Sequence, residues 1–447
     1  MQNNLSTCQT NSIIHSGFPE TLNTQTYTLD VKPKPKSTLG KDSDDQDKIP
    51  NPKQRVELAD IFRAHSHEFG KLPIEHYKII TDIVNCRTSV LGGHKYQCDN
   101  CGYEDISYNS CRNRHCPKCQ TITKLQWIEA RKEDLLHIPY FHMVFTISNL
   151  FNPIALRNKK VVYDLIFSAA SEALKEIAQK RLGIKIGIVA ILHTWGQNLM
   201  DHPHIHCLVP GGGLSLDESK FLKSKEYYFL PVKWISKVFK EKFIQGLEKA
   251  VKKGKLDFMG EIEYLKDKGE LDTLIAKAKS LDWMVYSKKP FAGPEEVLEY
   301  IGRYTHRVAI SNNRILKLEN GMVDFQWKDY KDNSKVKVMR LTAHEFIRRF
   351  LLHSLPSEFR RIRYFGFLSS AHCKKKIALC KKLLGEKTKD KDSCPEKETW
   401  QELLLRITGI DVNLCPKCKI GHMVLVETYE SQLPERRSRR KVKKKFG

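Results

Sequence analysis

The chain has 447 residues, a mass of 51.8 kDa and a formal charge of +24, from 76 Lys plus Arg against 52 Asp plus Glu. That length suggests about three domains and excludes a miniprotein, and 40% hydrophobic with 9% aromatic residues excludes wholesale disorder. So large a basic excess calls for polyanionic partners, nucleic acid first and a membrane surface second.

Residues 1–52 are polar, with KPKPK at 32–36 and KDSDDQDK at 41–48, and read as a disordered tail. They lack a basic region followed by an apolar block, so no secretory signal is expected. No uncharged apolar stretch is long enough for a bilayer-spanning helix. Thirteen cysteines without an export signal point to a reducing compartment and to thiolates as metal ligands. A soluble intracellular protein is the expectation.

Helical periodicity begins near Gln54 in RVELADIFRAHSHEF and continues through LPIEHYKIITDIVNC to the Gly92-Gly93 break. A Cys-rich block follows, then a helix in TITKLQWIEARKEDLL and a strand in PYFHMVFTIS at 139–148. A long helix is expected over Ala155–Arg181, then a buried strand IKIGIVAILHTW at 184–195 and a further strand HIHCLVPGG at 204–212. Two charged helices over about 231–280 read as a mostly solvated insertion. DWMVYSKKPF is another strand. PEEVLEYIGRYTHR opens with Pro and two acids, a helix start. Strands flank an Asn-Gly turn at 320–321, and from Thr342 the chain reads as helical and basic. It ends in RRSRRKVKKK at 436–445, eight basic residues in ten. Strands and helices alternate through the middle, so the fold class is mixed α and β, α+β or α/β.

Cys98-x-x-Cys101 and Cys116-x-x-Cys119 are two knuckles fourteen residues apart, the donor set that a tetrahedral zinc takes. Cys86, His94, Cys111 and His115 lie in the same block and either supply a second ion or replace one of the four. Arg112, Arg114 and Lys118 around the second knuckle suit DNA phosphates; a solvated basic face is the plainer alternative. Cys415-Pro-Lys-Cys418 is half of a further site, or two buried thiols.

In His202-Pro-His204-Ile-His206, strand alternation puts His204 and His206 on one face and Ile205 on the other. Two imidazoles on a rigid strand make a platform for a divalent ion. Tyr300 and Tyr304 stand four residues apart on a helix, so both hydroxyls emerge on one face, with Arg303 and Arg307 beside them as phosphate donors. Core packing of two aromatics is the bland alternative. Attack by a phenol of pKa ~10 becomes feasible on a metal-polarised phosphodiester.

HTWGQNLMDHPHIHCLVPGGG, followed by YIGRYTHRVAIS and preceded by CRTSVLGGH and SCRNRHCPKCQ, resembles the HUH endonuclease superfamily. Within it the chain resembles the bacterial rolling-circle insertion-sequence transposases of the IS-ninety-one type, over roughly residues 55–345. The resemblance implies an α+β fold: an antiparallel HUH sheet with packed helices, histidines on a central strand and tyrosines on a facing helix. A zinc-binding helical module would precede it and a basic helical region follow. The implied domains are 53–134 for zinc and DNA binding, 135–345 for catalysis and 346–447 for the C-terminal region. The implied chemistry is nicking and rejoining of single-stranded DNA by Tyr300 and Tyr304 through 5′-phosphotyrosyl links. His204 and His206 would hold Mg²⁺ or Mn²⁺, with Gln197 as third ligand and His193 and His202 as competitors. DNA at mobile-element ends is the implied partner. With no G-x-x-x-x-G-K-[ST] loop, strand opening falls to a host helicase or to DNA already single-stranded. The bacterial cytoplasm, at the nucleoid, is the implied location. A plasmid replication initiator or relaxase is the alternative within this chemistry, and a zinc-dependent DNA-binding regulator the alternative without it. A metalloprotease is disfavoured, because no H-E-x-x-H occurs.

Overall fold

The computed structural model describes residues 55–225, 230–288, 294–330, 332–369, 371, 373–386 and 398–433, without the side chains of residues 294, 295, 299, 301 and 303. The expected polar tail at 1–52 and basic run at 436–445 lie outside the described residues.

In chain order the elements begin with α1 (Leu58–His65), α2 (Ile74–Val84), β1 (Gly93–Cys98), β2 (Glu104–Tyr108), α3 (Gln120–Lys132) and β3 (Tyr140–Thr146). Next come α4 (Asn152–Arg157), α5 (Lys159–Leu182), β4 (Ile184–Lys185), β5 (Gly187–Trp195), β6 (Asp201–Pro210), β7 (Gly212–Ser215) and β8 (Phe221–Lys223). Then follow α6 (Val232–Lys252), α7 (Lys268–Ser280), β9 (Val285–Lys288), α8 (Pro294–Thr305), β10 (Ile315–Glu319), β11 (Met322–Asp329) and β12 (Lys335–Thr342). The last are α9 (Ala343–Leu352), β13 (Ile362–Gly366), α10 (Cys373–Leu383), α11 (Trp400–Thr408) and β14 (Met423–Tyr429).

The described chain falls into two units. The smaller takes Asn85–Cys111 together with residues 398–433; the larger takes Arg55–Val84 and residues 112–386. The smaller unit therefore draws on both the expected N-terminal domain (53–134) and the expected C-terminal region (346–447). The helices expected around the cysteine block are present as α1, α2 and α3. The block between them is a hairpin, and in the smaller unit β14 joins it in a sheet ordered β14-β1-β2.

The larger unit is built on an antiparallel sheet ordered β13-β5-β6-β3-β9. One face carries Phe141, Met143, Phe145, Ile188, Ala190, Leu192, Ile205, Cys207 and Val209, buried with α5, α6 and α7. The opposite face carries Tyr140, Val189, Ile191 and Leu208, packed with Ile128 of α3 and Val297 and Leu298 of α8. A sheet covered on both faces explains why all nine residues of β5 are buried.

Three expectations change. Residues 231–280 are no solvated insertion: Ile235, Phe239, Phe243 and Leu247 form a stripe at four-residue spacing and join Leu271 and Ile275 in the core. The helix expected over Ala155–Arg181 breaks at Asn158 (φ −116°, ψ 43°). The Asn158 amide explains the break, since it donates to Ile154 O and Asp257 O and accepts from Asp257 N. Beyond residue 345 the chain is not wholly helical, because β13 completes the sheet edge beside β5.

Gly302 sets the close approach of α8 to α3. A Cβ there would stand 2.4 Å from Ile128 Cδ1. We predict that Gly302→Leu lowers stability by about 1–3 kcal/mol through overpacking, read by denaturant melts, and that Ile128→Ala on that background recovers part of it. An unperturbed Gly302→Leu would show that the two helices are not in tight contact.

Candidate active site and metal centres

Strand register assembles the histidines. In the β5–β6 pair His193 lies opposite His204 and Ile191 opposite His206, which puts three imidazoles on the sheet face toward α8. Their ligand nitrogens lie within 4.8 Å of one another. Ile205 points into the core on the other face, as alternation requires.

Each ring has one nitrogen fixed by a partner. His193 Nε2 donates to Tyr304 O at 2.8 Å, and His204 Nδ1 donates to His202 O at 2.6 Å. His206 Nδ1 lies 2.9 Å from His142 Nε2, while His206 Nε2 is buried with no partner in the protein. This leaves Nδ1 of His193 and Nε2 of His204 and His206 for an ion. It is the arrangement by which outer partners orient metal-binding imidazoles. Burial pushes His204 down to about 3 and holds His193 and His206 well below the ordinary range, so all three are neutral, as ligands must be. Three imidazoles fit a divalent transition ion such as Mn²⁺ better than oxygen-seeking Mg²⁺.

Gln197, expected as the third ligand, lies in the turn after β5, and its amide Nε2 donates to Tyr330 Oη at 3.3 Å. His193, named as a competitor, lies on the strand itself and joins the cluster; His202 contributes its backbone carbonyl.

The tyrosines face this cluster from α8. Tyr304 Oη donates to Tyr300 Oη at 3.0 Å, and Tyr300 Oη lies 3.3 Å from His142 Nδ1. The Tyr304 ring sits 4.3 Å from the His206 ring, centroid to centroid. Both tyrosine rings also pack on the apolar cluster of that face, so part of the core-packing reading is correct for the rings. The hydroxyls belong to a polar chain that a purely apolar role would not need.

Two residues that sequence reasoning missed hold the arrangement. His142, inside the apolar strand PYFHMVFTIS, bridges Tyr300 and His206, and an isolated histidine in such a strand is its only signal. Arg361 donates to the carbonyls of Thr305 and Arg307, capping the C-terminal end of α8 where a cation is favourable. Burial pulls this guanidinium down to about 10.

Of the proposed phosphate contacts, Arg112 is exposed, while Arg114 is half-buried and donates to Phe359 O at 2.7 Å. Arg114 therefore braces the fold. Arg307 is half-buried at the foot of α8, and the Arg303 side chain lies outside the described residues.

The thiols pair differently from the sequence expectation. Cys98 and Cys101 form a quartet with Cys415 and Cys418, not with Cys116 and Cys119. Antiparallel pairing of β1 with β14 brings the two knuckles together, with Cys98 opposite Met423. Cys98 and Cys418 sulfurs are 3.7 Å apart, and Cys101 and Cys415 sulfurs 3.8 Å. Backbone amides of Asn100 and Cys101 donate to Cys98 Sγ, and Gly421 N donates to Cys418 Sγ, each at 3.4 Å. Amide donors at Gly421 and Ile420 bring the Cys418 thiol down to about 6. A Cβ on Gly421 would stand 2.6 Å from Cys98 Sγ, so only glycine fits there. Four thiolates with N–H···S support are the donor set of structural zinc. His94, 3.4 Å from Thr428 Oγ1, is not in the quartet. In the larger unit Cys116 is buried and Cys119 precedes α3 as its N-cap, while burial depresses His115 to about 3.

The buried histidines give a pH dependence of defined sign. His142 and His353 are held at about 4 and His204 at about 3, chiefly by burial, against about 6.5 in an unfolded chain. Below about pH 6.5 the unfolded state binds more protons than the folded one, so stability falls with acidification. We predict that the Tm of metal-free protein drops steadily from about pH 7 to about pH 5. A flat Tm across that window would contradict neutral, buried imidazoles.

Two family profiles and two curated relatives match the chain. A family profile described as "Putative transposase", of the Y2 type, matches residues 187–376, and one described as "Transposase zinc-binding domain", of the IS91 type, matches residues 57–147. The "Putative transposase y4qJ" of Sinorhizobium fredii is 44% identical over 380 residues, covering 84% of this chain and 96% of that protein. The "Transposase for insertion sequence element IS801" of Pseudomonas savastanoi pv. phaseolicola is 29% identical over 329 residues, covering 72% and 78%. A solved metal-bound complex of the conjugative relaxase TrwC with oriT DNA overlaps 57% of this chain and 96% of its own. At 12% identity and a TM-score of 0.23, that overlap is too slight to carry an argument. On the extent and identity of the match to its relatives, the chain belongs to the insertion-sequence transposases of the IS91 type, with a zinc-binding region ahead of the transposase domain.

Proposed function

We propose that the protein nicks and rejoins single-stranded DNA at the ends of a mobile element, with Tyr300 and Tyr304 as nucleophiles that form 5′-phosphotyrosyl links. The observation that carries this reading is the chain of contacts from the tyrosine pair through His142 to the three-histidine cluster. A divalent ion bound by His193, His204 and His206 would polarise the scissile phosphate. The chain's own residues do the rest. Tyr304 and His142 orient the Tyr300 oxygen, Arg361 and His193 pin the end of α8, and Arg307 supplies positive charge beside the imidazoles. A phosphotyrosyl link keeps the bond energy of the phosphodiester, so rejoining needs no nucleotide, in keeping with the missing P-loop motif. A host helicase, or DNA already single-stranded, would expose the strand. Exposed Arg112 and the basic run at 436–445 are proposed phosphate contacts, placing the protein on DNA in the bacterial cytoplasm.

Tyr→Phe deletes a hydroxyl and keeps the ring, so a packed tyrosine would change stability by only about 1 kcal/mol. We expect Tyr300→Phe with Tyr304→Phe to fold and bind single-stranded DNA carrying the element's ends, and to give no protein–DNA adduct on a denaturing gel. An adduct from that variant would place the nucleophile elsewhere.

We propose that the quartet of Cys98, Cys101, Cys415 and Cys418 holds a structural zinc. Metal analysis of the full chain should find one zinc fewer per chain in Cys415→Ser than in the wild type. An unchanged zinc content would refute the quartet as a zinc site.

A further inference from the structure

Two tyrosines on one helix face leave open which of them attacks first, and the hydrogen-bond chain around them is directional. We infer that Tyr300 makes the first cut and that His142 is the positioning residue that selects it, an inference that rests on the tyrosine reading above.

The direction follows from His206. Its Nε2 is buried and unpartnered in the protein while its Nδ1 is taken by His142, so Nε2 is the nitrogen left for an ion. Nδ1 then keeps the ring hydrogen and donates it to His142 Nε2, 2.9 Å away. A neutral imidazole whose Nε2 accepts carries its own hydrogen on Nδ1. That hydrogen faces Tyr300 Oη at 3.3 Å, so His142 donates to Tyr300. Tyr304 Oη donates to the same oxygen at 3.0 Å. Tyr300 Oη thus accepts on both paths.

This asymmetry separates two chemically identical side chains. Hydrogen bonds donated to an oxygen favour its anionic form, and Tyr300 receives two. The Lys288 ammonium, 4.6 Å from the centre of the Tyr300 ring, adds positive charge on the same side. Tyr304, in contrast, gives its hydrogen to Tyr300 and so enters the reaction second. In the first step the bond from Tyr300 Oη to phosphorus forms as the bond from phosphorus to the 3′-oxygen breaks. The phenol hydrogen leaves and the departing 3′-oxygen takes one up, so no proton is gained or lost overall. Tyr300 then carries the strand as an aryl ester, and Tyr304 is the remaining hydroxyl for the second end.

The reverse polarity is chemically possible and gives the opposite outcome. If His206 Nδ1 accepted from His142, then His142 Nδ1 would accept from Tyr300, and the protein would leave no unprotonated nitrogen on His206 for an ion. The metal site and the choice of tyrosine are therefore linked through one tautomer.

Two measurements on the full chain test this. The ring-nitrogen NMR shifts of labelled His142 should report the Nδ1–H tautomer once Mg²⁺ is added, a readout independent of cleavage. Peptide mapping of the first adduct should place the DNA on Tyr300, using a single-stranded oligonucleotide of the element's end with sulfur replacing the bridging 3′-oxygen. His142→Ala should slow adduct formation roughly 10²-fold, the scale of losing one aimed donor, and spread the adduct over both tyrosines. His142→Gln, which can accept from His206 and donate to Tyr300, should restore the preference for Tyr300. An Nε2–H tautomer in the presence of Mg²⁺, or a first adduct on Tyr304, would overturn the inference and leave tyrosine chemistry intact. An adduct on neither tyrosine would overturn the tyrosine reading itself.

Discussion

The register of one strand pair underlies the whole site. Pairing β5 with β6 so that His193 faces His204 and Ile191 faces His206 puts three imidazoles within ligand distance of one another. A one-residue slip would send His204 and His206 into the apolar core and Ile205 out toward the tyrosines. The core prevents this: Ile205, Cys207 and Val209 interlock with α5 and its neighbours on the far face. Burial of the histidines is then the cost of the arrangement, since it strips their charged form of solvent. It is also what keeps them neutral and ready for a metal.

The tyrosine helix is fixed from three directions. Gly302 allows close contact with Ile128 of α3, His193 takes the carbonyl of Tyr304, and Arg361 takes those of Thr305 and Arg307. None of these contacts touches the hydroxyls, which remain in the chain from Tyr304 through Tyr300 to His142. Rigid support with the polar atoms left for chemistry is what the proposed in-line attack on a phosphodiester would demand.

Much of this was legible in the sequence, and the misses have physical reasons. Two-residue alternation in HIHC and four-residue spacing in YIGRY determine faces directly, so His204, His206, Tyr300 and Tyr304 could be found locally. His193 was ranked below Gln197 because its role depends on which residue lies across the strand pair, and register is not a local property. His142 resembled core, and by burial it is core: it is 3% exposed. The zinc quartet failed for the same reason on a longer scale. Cys98 and Cys101 have a tempting partner knuckle fourteen residues on, yet β14 returns from the far end of the chain to pair with β1 and brings Cys415 and Cys418 instead. β13 escaped notice because half-exposed, basic Ile362–Gly366 lacks the alternation of a buried strand.

The central claim is that His193, His204 and His206 hold the ion opposite the tyrosines. Anomalous diffraction from crystals of the full chain soaked in Mn²⁺ tests it most directly. The account predicts one strong peak within bonding distance of His193 Nδ1, His204 Nε2 and His206 Nε2. A peak bound by Gln197 in place of His193, or none at this cluster, would contradict it.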